Sequence, residues 1–381
     1  MPHRTYLRPQ CLINLALLIL LCFLLLPPIC EARTMIVATK NSSEKSKKIA
    51  DYVGDGAGDQ EEIYKAIHDL PEVGGTVTLM EGTYDIRRVE GTYGGLIIDR
   101  SDVTLVGQGS ATRLILAPDQ NTNVIRIIGN GVGNITIRDM WVDQNRDQNP
   151  YDGAEFINIS HGRFEYCGIK GFCAEPGKSC PEPIHDITIE NCRVMNSQRL
   201  GIMLDGINLR VINNRLGNAN SDAVELLGGP GFVTGNILEI TGRTHVAIGS
   251  DRGSSIIMAN NVVHVTPTGD LDIAFRSWAD SERHVIADNV VIVDPGGTLN
   301  YAMDVRGFDT SVTGNVIRGN NPDKLLPLWL TGAGMVVTGN QFQNVELIVN
   351  DKTGTNRPIM IRDNVLENSK VTHEAGNLVG E

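Results

Sequence analysis

The side chains able to do chemistry gather in six short segments, each an apolar strand that runs into a turn: "GIMLDG", "AVELLGG", "VAIGSD", "IAFRSW", "MDVRG" and "LWLTG". They carry Asp205, Glu225, Arg276, Asp304, Arg306 and Trp329, with Asp222, His245, Asp251 and Asp272 at their edges. Two carboxylates such as Glu225 and Asp304 can do acid/base work on a glycosidic bond. His245 is an alternative base, since an unperturbed imidazole titrates at about 6.5. Arg276 and Arg306 can each grip a uronate carboxylate through paired hydrogen bonds. Asp205 and Trp329 would complete a substrate surface, the Trp as a ring on which a sugar stacks. The plain alternative is a face of ion pairs, with Asp304 set against Arg276 and Arg306 and worth little in stability.

These residues depend on a repeat for their placement. The segments "GFVTGNILEI", "SIIMANNVVHV", "HVIADNVVIV", "SVTGNVIRG", "MVVTGNQF" and "IMIRDNVLEN" each join two apolar strands through an Asn. Asn214, Asn236, Asn261, Asn289, Asn315, Asn340 and Asn364 follow one another at spacings of 22, 25, 28, 26, 25 and 24 residues. Asn191 fits the same slot upstream, preceded by Tyr166 and Asp139. A period near 25 with short strands marks a solenoid, whose turns bury their apolar faces only when stacked. Asn tolerates the left-handed backbone of a strand corner, and stacked amides can bond to one another. In such a stack alternate side chains of a strand point outward. Aligning the six segments on their apolar positions places Met203, Glu225, Ala247, Ala274, Asp304 and Trp329 in one outward column. The other holds Asp205, Leu227, Gly249, Arg276, Arg306 and Thr331.

The stretch Asp55–Ile86, "DGAGDQEEIYKAIHDLPEVGGTVTLMEGTYDI", reads as a helix over 59–70 with Asp59 as N-cap, then strands. Ile63, Ala66, Ile67 and Leu70 form its apolar face, which would shield the first coil. With the Asn period, this stretch resembles the right-handed parallel β-helix, or pectate-lyase-like, superfamily. The resemblance implies an all-β solenoid of roughly ten coils with a short N-terminal capping helix. It implies exported proteins that include polygalacturonases, pectate lyases, alginate epimerases and phage tailspikes. No one reaction is singled out. The Tyr-Gly-Phe-Asp-Pro-His run of alginate epimerases is missing, its nearest equivalent being "YCGIKGFCAEPG". "NSDAVELLGG" and "GRTHVAIGSDRG" are too loose for the polygalacturonase motifs.

Residues 1–32 have the order of a signal peptide, with Arg4 and Arg8 before the apolar run 12–29 and small residues ending at Ala32. An uncleaved membrane anchor is the rival reading, because the run is long enough to span. The expected divisions are a flexible segment 33–50, a cap 51–94, the β-helix 95–370 and a tail 371–381. Of the 381 residues with net charge −12, cleavage removes Arg4, Arg8 and Glu31 and leaves −13. The "KSKK" run is too short to be the basic footprint of a nucleic-acid partner. Export permits disulfides, and Cys173 with Cys180 in "GFCAEPGKSCPEP" is the expected pair. Cys167 and Cys192, one repeat apart, are expected as buried thiols in equivalent places. No Cys/His spacing suits zinc, and no metal or organic cofactor is called for. Asp143, Asp147 and Asp152 offer an oxygen-rich loop for Ca2+, without EF-hand spacing. Two functions follow. One is an exported protein that binds, and cleaves or epimerises, an acidic polysaccharide. The other is a non-catalytic cell-surface or envelope β-helix that binds glycans or serves as a rod.

Overall fold

The structure, a computed structural model, describes residues 31–149, 166–174 and 178–380. Its strands stack in parallel as a right-handed β-helix of about eleven turns. One sheet has eleven strands, from Gly94–Ile98 through Asp222–Leu226, Arg243–Ser250, Asp270–Ser277, Thr298–Val305 and Leu326–Leu330 to Lys370–Ala375. The other sheet has 23 strands and wraps the remaining faces. The core lies between them in columns. Val224, Ile248, Phe275, Met303, Leu328 and Leu347 are register partners in successive strands, all fully buried. Each such side chain contributes roughly 1.5–3 kcal/mol by leaving water.

The corner asparagines form one continuous ladder. Asn214 Nδ2 donates to Asn236 Oδ1 at 3.1 Å, and the pattern repeats through Asn261, Asn289, Asn315 and Asn340 to Asn364 at 2.9–3.0 Å. Each Oδ1 also accepts the backbone N–H of the Asn one coil earlier. The left-handed residue is the one before the ladder Asn, namely Asn213, Gly235, Asn260, Asp288, Gly314, Gly339 and Asp363, at φ 52–69°. This corrects two expectations. Asn191 (φ 52°) and Asp139 (φ 56°) occupy that left-handed position and are not ladder members. The ladder's upstream neighbour is Cys192, whose N–H donates to Asn214 Oδ1 at 2.9 Å. Cys192 is therefore a corner residue, and burial pushes its thiol up to about 12. Cys167 lies in the other sheet, with its N–H on Asn123 Oδ1, so the two cysteines are not equivalent.

Three boundaries differ from expectation. Residues 33–50, expected to be flexible, form the strand Arg33–Ala38 and the helix Glu44–Ile49. The alternation in "TMIVA" buries Met35 and Val37 against the Gly75–Leu79 strand. The expected tail contributes Lys370–Ala375 and Leu378–Val379, both paired to the preceding coil. The expected helix runs over Gln60–His68 and packs on the Gly94–Ile98 strand with Ile63, Ala66 and Ile67 fully buried. Asp59 precedes it but makes no side-chain cap bond. Its buried carboxylate instead accepts from Thr39 Oγ1, Gly56 N and Asp85 N at 2.8–3.0 Å, tying two loops to the Gly82–Ile86 strand.

Asn289→Ala removes two donors and an acceptor from the middle of the ladder and strands the amide of Asn261. The expected loss is about 1–3 kcal/mol, read as a lower urea midpoint at unchanged slope. An unchanged midpoint would count against a ladder that bears on stability.

Candidate functional site

Strand register fixes which side chains share a column. Met203 pairs with Glu225, Glu225 with Gly249, Gly249 with Arg276, Arg276 with Asp304 and Asp304 with Trp329. The expected columns are thus two residues out in the Arg243–Ser250 and Asp270–Ser277 strands. Ala247 and Ala274, expected to face outward, are fully buried members of the core. Arg276 belongs with Glu225 and Asp304, not with Arg306. Trp278, two residues on, takes the place expected for Arg276 beside Arg306. Small residues caused the slip, because an inward Ala and an outward Gly look alike to an alignment on apolar positions.

Arg276 is the hub of a buried cluster. Its Nη2 lies 2.7 Å from Asp222 Oδ2 and 3.3 Å from Glu225 Oε1, and its Nε donates to Asp251 Oδ1 at 2.8 Å. To reach Asp222 and Glu225 it passes over Gly249. A Cβ there would sit 2.8 Å from Asp222 Oδ2 and 3.4 Å from Arg276 Nη2. Arg276 is 6% exposed, and the three protein carboxylates occupy it, so it does not hold a substrate carboxylate as expected. Burial raises the Asp222 pKa. Glu225 rises well above the usual carboxylate range, first through burial and then through the negative charges of Asp222 and Asp251. Glu225 is therefore the member that keeps its proton to higher pH.

Beside the hub an open groove of about 700 Å³ is lined by His245, Trp278, Tyr301, Asp304, Arg306 and Trp329, with Lys352 also on its wall. Arg306 clasps Asp304 with two hydrogen bonds, Nε to Oδ1 at 2.8 Å and Nη2 to Oδ2 at 2.6 Å. Its guanidinium lies 3.9 Å from the Trp278 ring centroid, and that of Arg276 lies 5.6 Å away. The Asp304 bond raises the Arg306 pKa. Asp304 thus pairs with Arg306 in its own coil rather than with Arg276. His245 Nδ1 is 2.9 Å from Asp272 Oδ2. Asp272 also accepts from Arg243 Nη2 at 2.5 Å and Asn300 Nδ2 at 2.7 Å. Burial alone would raise the Asp272 pKa, but these hydrogen bonds and the Arg243 charge carry it below the usual range. An ionised Asp272 only accepts, so the His245 Nδ1 carries the proton of this hydrogen bond.

The structure therefore gathers four expected residues, His245, Asp304, Arg306 and Trp329, along one groove. Glu225 and Arg276 sit in the adjoining hub. Asp205 stands apart, paired with Arg252 at 3.1 Å, its pKa raised by burial. Trp278, Tyr301 and Lys352 were missed, although correct register would have revealed Trp278. Cys173 and Cys180 are bonded, with Cα atoms 6.0 Å apart. In the loop considered for Ca2+, Asp143 accepts from Asn145 N at 2.8 Å and Asn196 Nδ2 at 3.0 Å, whereas Asp152 lies outside the described residues. Among the described residues no three His, Cys, Asp or Glu side chains group to hold a metal.

No family model matches the chain, and no curated protein matches it. Solved structures do. The A-module of an Azotobacter vinelandii mannuronan C-5 epimerase has a TM-score of 0.57 at 18% identity, over 84% of this chain and 97% of that one. The tailspike of E. coli bacteriophage HK620, solved with a pentasaccharide, scores 0.58 at 15% identity over 91% and 64%. DFA-IIIase from Arthrobacter chlorophenolicus scores 0.54 at 14% identity over 87% and 88%. At these identities the likeness is one of fold: the chain is a right-handed parallel β-helix.

Two variants test the hub. The folded-state pKa of Glu225 is raised, so its contribution is full below the unfolded value of about 4.5 and is lost as pH rises through the folded value. Glu225→Gln mimics the protonated form. Its urea midpoint should gain on that of the wild type as pH goes from 5 to 8, and parallel pH profiles would refute the assignment. Gly249→Val fills the path of Arg276 and should lower stability by about 1–3 kcal/mol.

Proposed function

We propose that the outer face of the eleven-stranded sheet binds a polysaccharide and that the protein works outside the cytoplasm on an acidic one. The observation that carries this is the groove itself. Three aromatic side chains, Trp278, Tyr301 and Trp329, line one open channel together with Arg306, Lys352 and an Asp272-held His245. Aromatic faces with a polar rim suit sugar rings. Lys352 makes no ion pair among the described residues and is the natural partner for a uronate carboxylate. The similar folds of a mannuronan epimerase and a pentasaccharide-bound tailspike support a glycan as the ligand class. The bonded Cys173 and Cys180, with the leader-like residues 1–32, support export.

The same geometry favours proton transfer over hydrolysis. Two-carboxylate hydrolysis needs a pair of carboxyl groups flanking the bond. Here Glu225 is buried in the hub, and both oxygens of Asp304 are held by Arg306. In this reading His245 is the base that removes a proton from the sugar, positioned by Asp272, and Asp304 positions Arg306 against Trp278. That is lyase or epimerase chemistry. A non-catalytic glycan-binding surface is the second reading, favoured by the internal pairing of Asp205, Arg276, Asp304 and Arg306.

The test is a screen of the purified protein on acidic and neutral polymers, reading affinity, unsaturated products by absorbance and polymer stereochemistry by NMR. Trp278→Ala and Trp329→Ala should each weaken binding at least tenfold, about 1.4 kcal/mol, with melting unchanged. Lys352→Ala should lose affinity for acidic polymers alone. His245→Ala should keep binding and lose turnover; if the wild type binds without turnover, the second reading stands. A wild type that binds no glycan removes both.

A further inference from the structure

One file of arginines on the 23-stranded sheet stands almost without acids. Arg113, Trp141, Arg193 and Arg215 are register partners in turn. The residue after each, Leu114, Val142, Val194 or Leu216, is buried, so alternation points the file outward. The guanidiniums of Arg113 and Arg193 lie 4.6 and 4.4 Å from the Trp141 ring centroid, one from the coil before and one from the coil after. Among the described residues Arg113 donates only from Nε, to Ser110 O at 3.3 Å, and Arg193 has no hydrogen bond or ion pair. Arg215 reaches Glu239 at 3.4 Å in an exposed pair. Asp143, two residues beyond Trp141, is held instead by Asn145 N and Asn196 Nδ2.

Acids are not scarce in this chain, since Asp and Glu number 45 against 33 Lys and Arg. On the eleven-stranded sheet carboxylates close off both Arg276 and Arg306. In the file, by contrast, like charges stand one strand spacing apart at Arg193 and Arg215 and two apart at Arg113 and Arg193, about 5 and 10 Å, and repel. A bound anion would relieve that repulsion. A guanidinium stacked by its face on a ring keeps its N–H edge for a planar, bidentate acceptor. We propose that this file binds a linear acidic polysaccharide lying along the solenoid axis, with uronate carboxylates on Arg113, Arg193 and Arg215. Single-stranded nucleic acid suits the file less. Its bases need open aromatic faces, and guanidiniums flank Trp141 on both sides. A chain of net charge −12 also lacks a broad basic field.

One consequence rests on the glycan reading of the groove. The file lies on the other sheet and nearer the first coil, so it is a separate site. A polymer held there would be present at raised effective concentration when it meets the groove.

Trp278→Phe/Trp329→Phe leaves Trp141 as the only one of three tryptophans, so its emission reports on the file alone. This full-length protein is titrated with sodium polygalacturonate and with polymannuronate. At least one should give a saturable change in emission that weakens with salt and is absent with the methyl-esterified polymer. Arg113→Gln/Arg193→Gln in this background should weaken binding at least tenfold. Arg193→Lys, which keeps the charge and loses the fork, should fall between. Arg215→Gln changes an exposed residue, so it should weaken binding without lowering the melting midpoint, whatever the double variant does to folding. The proposal is overturned if neither polyuronate binds, if binding leaves Trp141 emission unchanged, or if the arginine variants bind as tightly as their parent. Single-stranded RNA that binds the file more tightly than either polyuronate would also overturn it. Neutral polymers bear only on the groove, so their failure to bind would count against that reading and not against this one.

Discussion

A buried amide must find partners, and in this chain the corner asparagine finds them in the coils on either side of its own. Asn261 Nδ2 donates both to Val233 O at 2.9 Å and to Asn289 Oδ1 at 3.0 Å, and no water is needed to complete the set. The corner itself demands a left-handed residue, supplied by the Gly, Asn or Asp one step earlier. Together these two positions lock each coil in register with the next. A slip by one residue would bury unpaired amides and reverse every side chain of the adjoining strands.

That register is what makes a site out of scattered residues. The members of the hub come from four places in the chain, Asp222, Glu225, Asp251 and Arg276, yet they meet because coils stack at one strand spacing. Gly249 is the element that allows it, since any side chain there would stand between the guanidinium and its carboxylates. The groove follows from the same stacking. Trp278 and Arg306 occupy successive coils, so the guanidinium settles over the ring, and Asp304 fixes its orientation from within its own strand.

How much of this can be read from the sequence differs by level. The solenoid is legible because the ladder Asn must recur once per coil. Its start is not, since "NC" at 191–192 and "NN" at 213–214 differ only in which residue carries the amide, and the left-handed position accepts Asn as readily as the ladder does. The functional residue types were legible as well. Their columns were not, because turns of unequal length separate the strands and Ala247 and Gly249 leave no apolar signature of direction. Asp59 misled for a related reason: its type and position suit a helix cap, but three donors outside the helix compete for the carboxylate and win it. The strand at 33–38 was overlooked because its partner, Gly75–Leu79, lies some forty residues on.

The hub also bears on what the groove can bind. One guanidinium faces three carboxylates, so full ionisation would leave excess negative charge directly behind the Trp278–Arg306 stack. An acidic polymer would meet that field at short range, through a poorly screened interior. Retention of the Glu225 proton removes part of it. The causes that raise the Glu225 pKa, burial and the charges of Asp222 and Asp251, thus also lessen the negative charge behind the face for as long as the proton is held. Under the proposed function, Glu225 would then matter to such a ligand without touching it, by setting the charge on which Arg306 and Lys352 would act. A face built in this way would lose its attraction for acidic polymers as pH rises through the Glu225 transition, while its hold on neutral ones, resting on the aromatic rings, would not change.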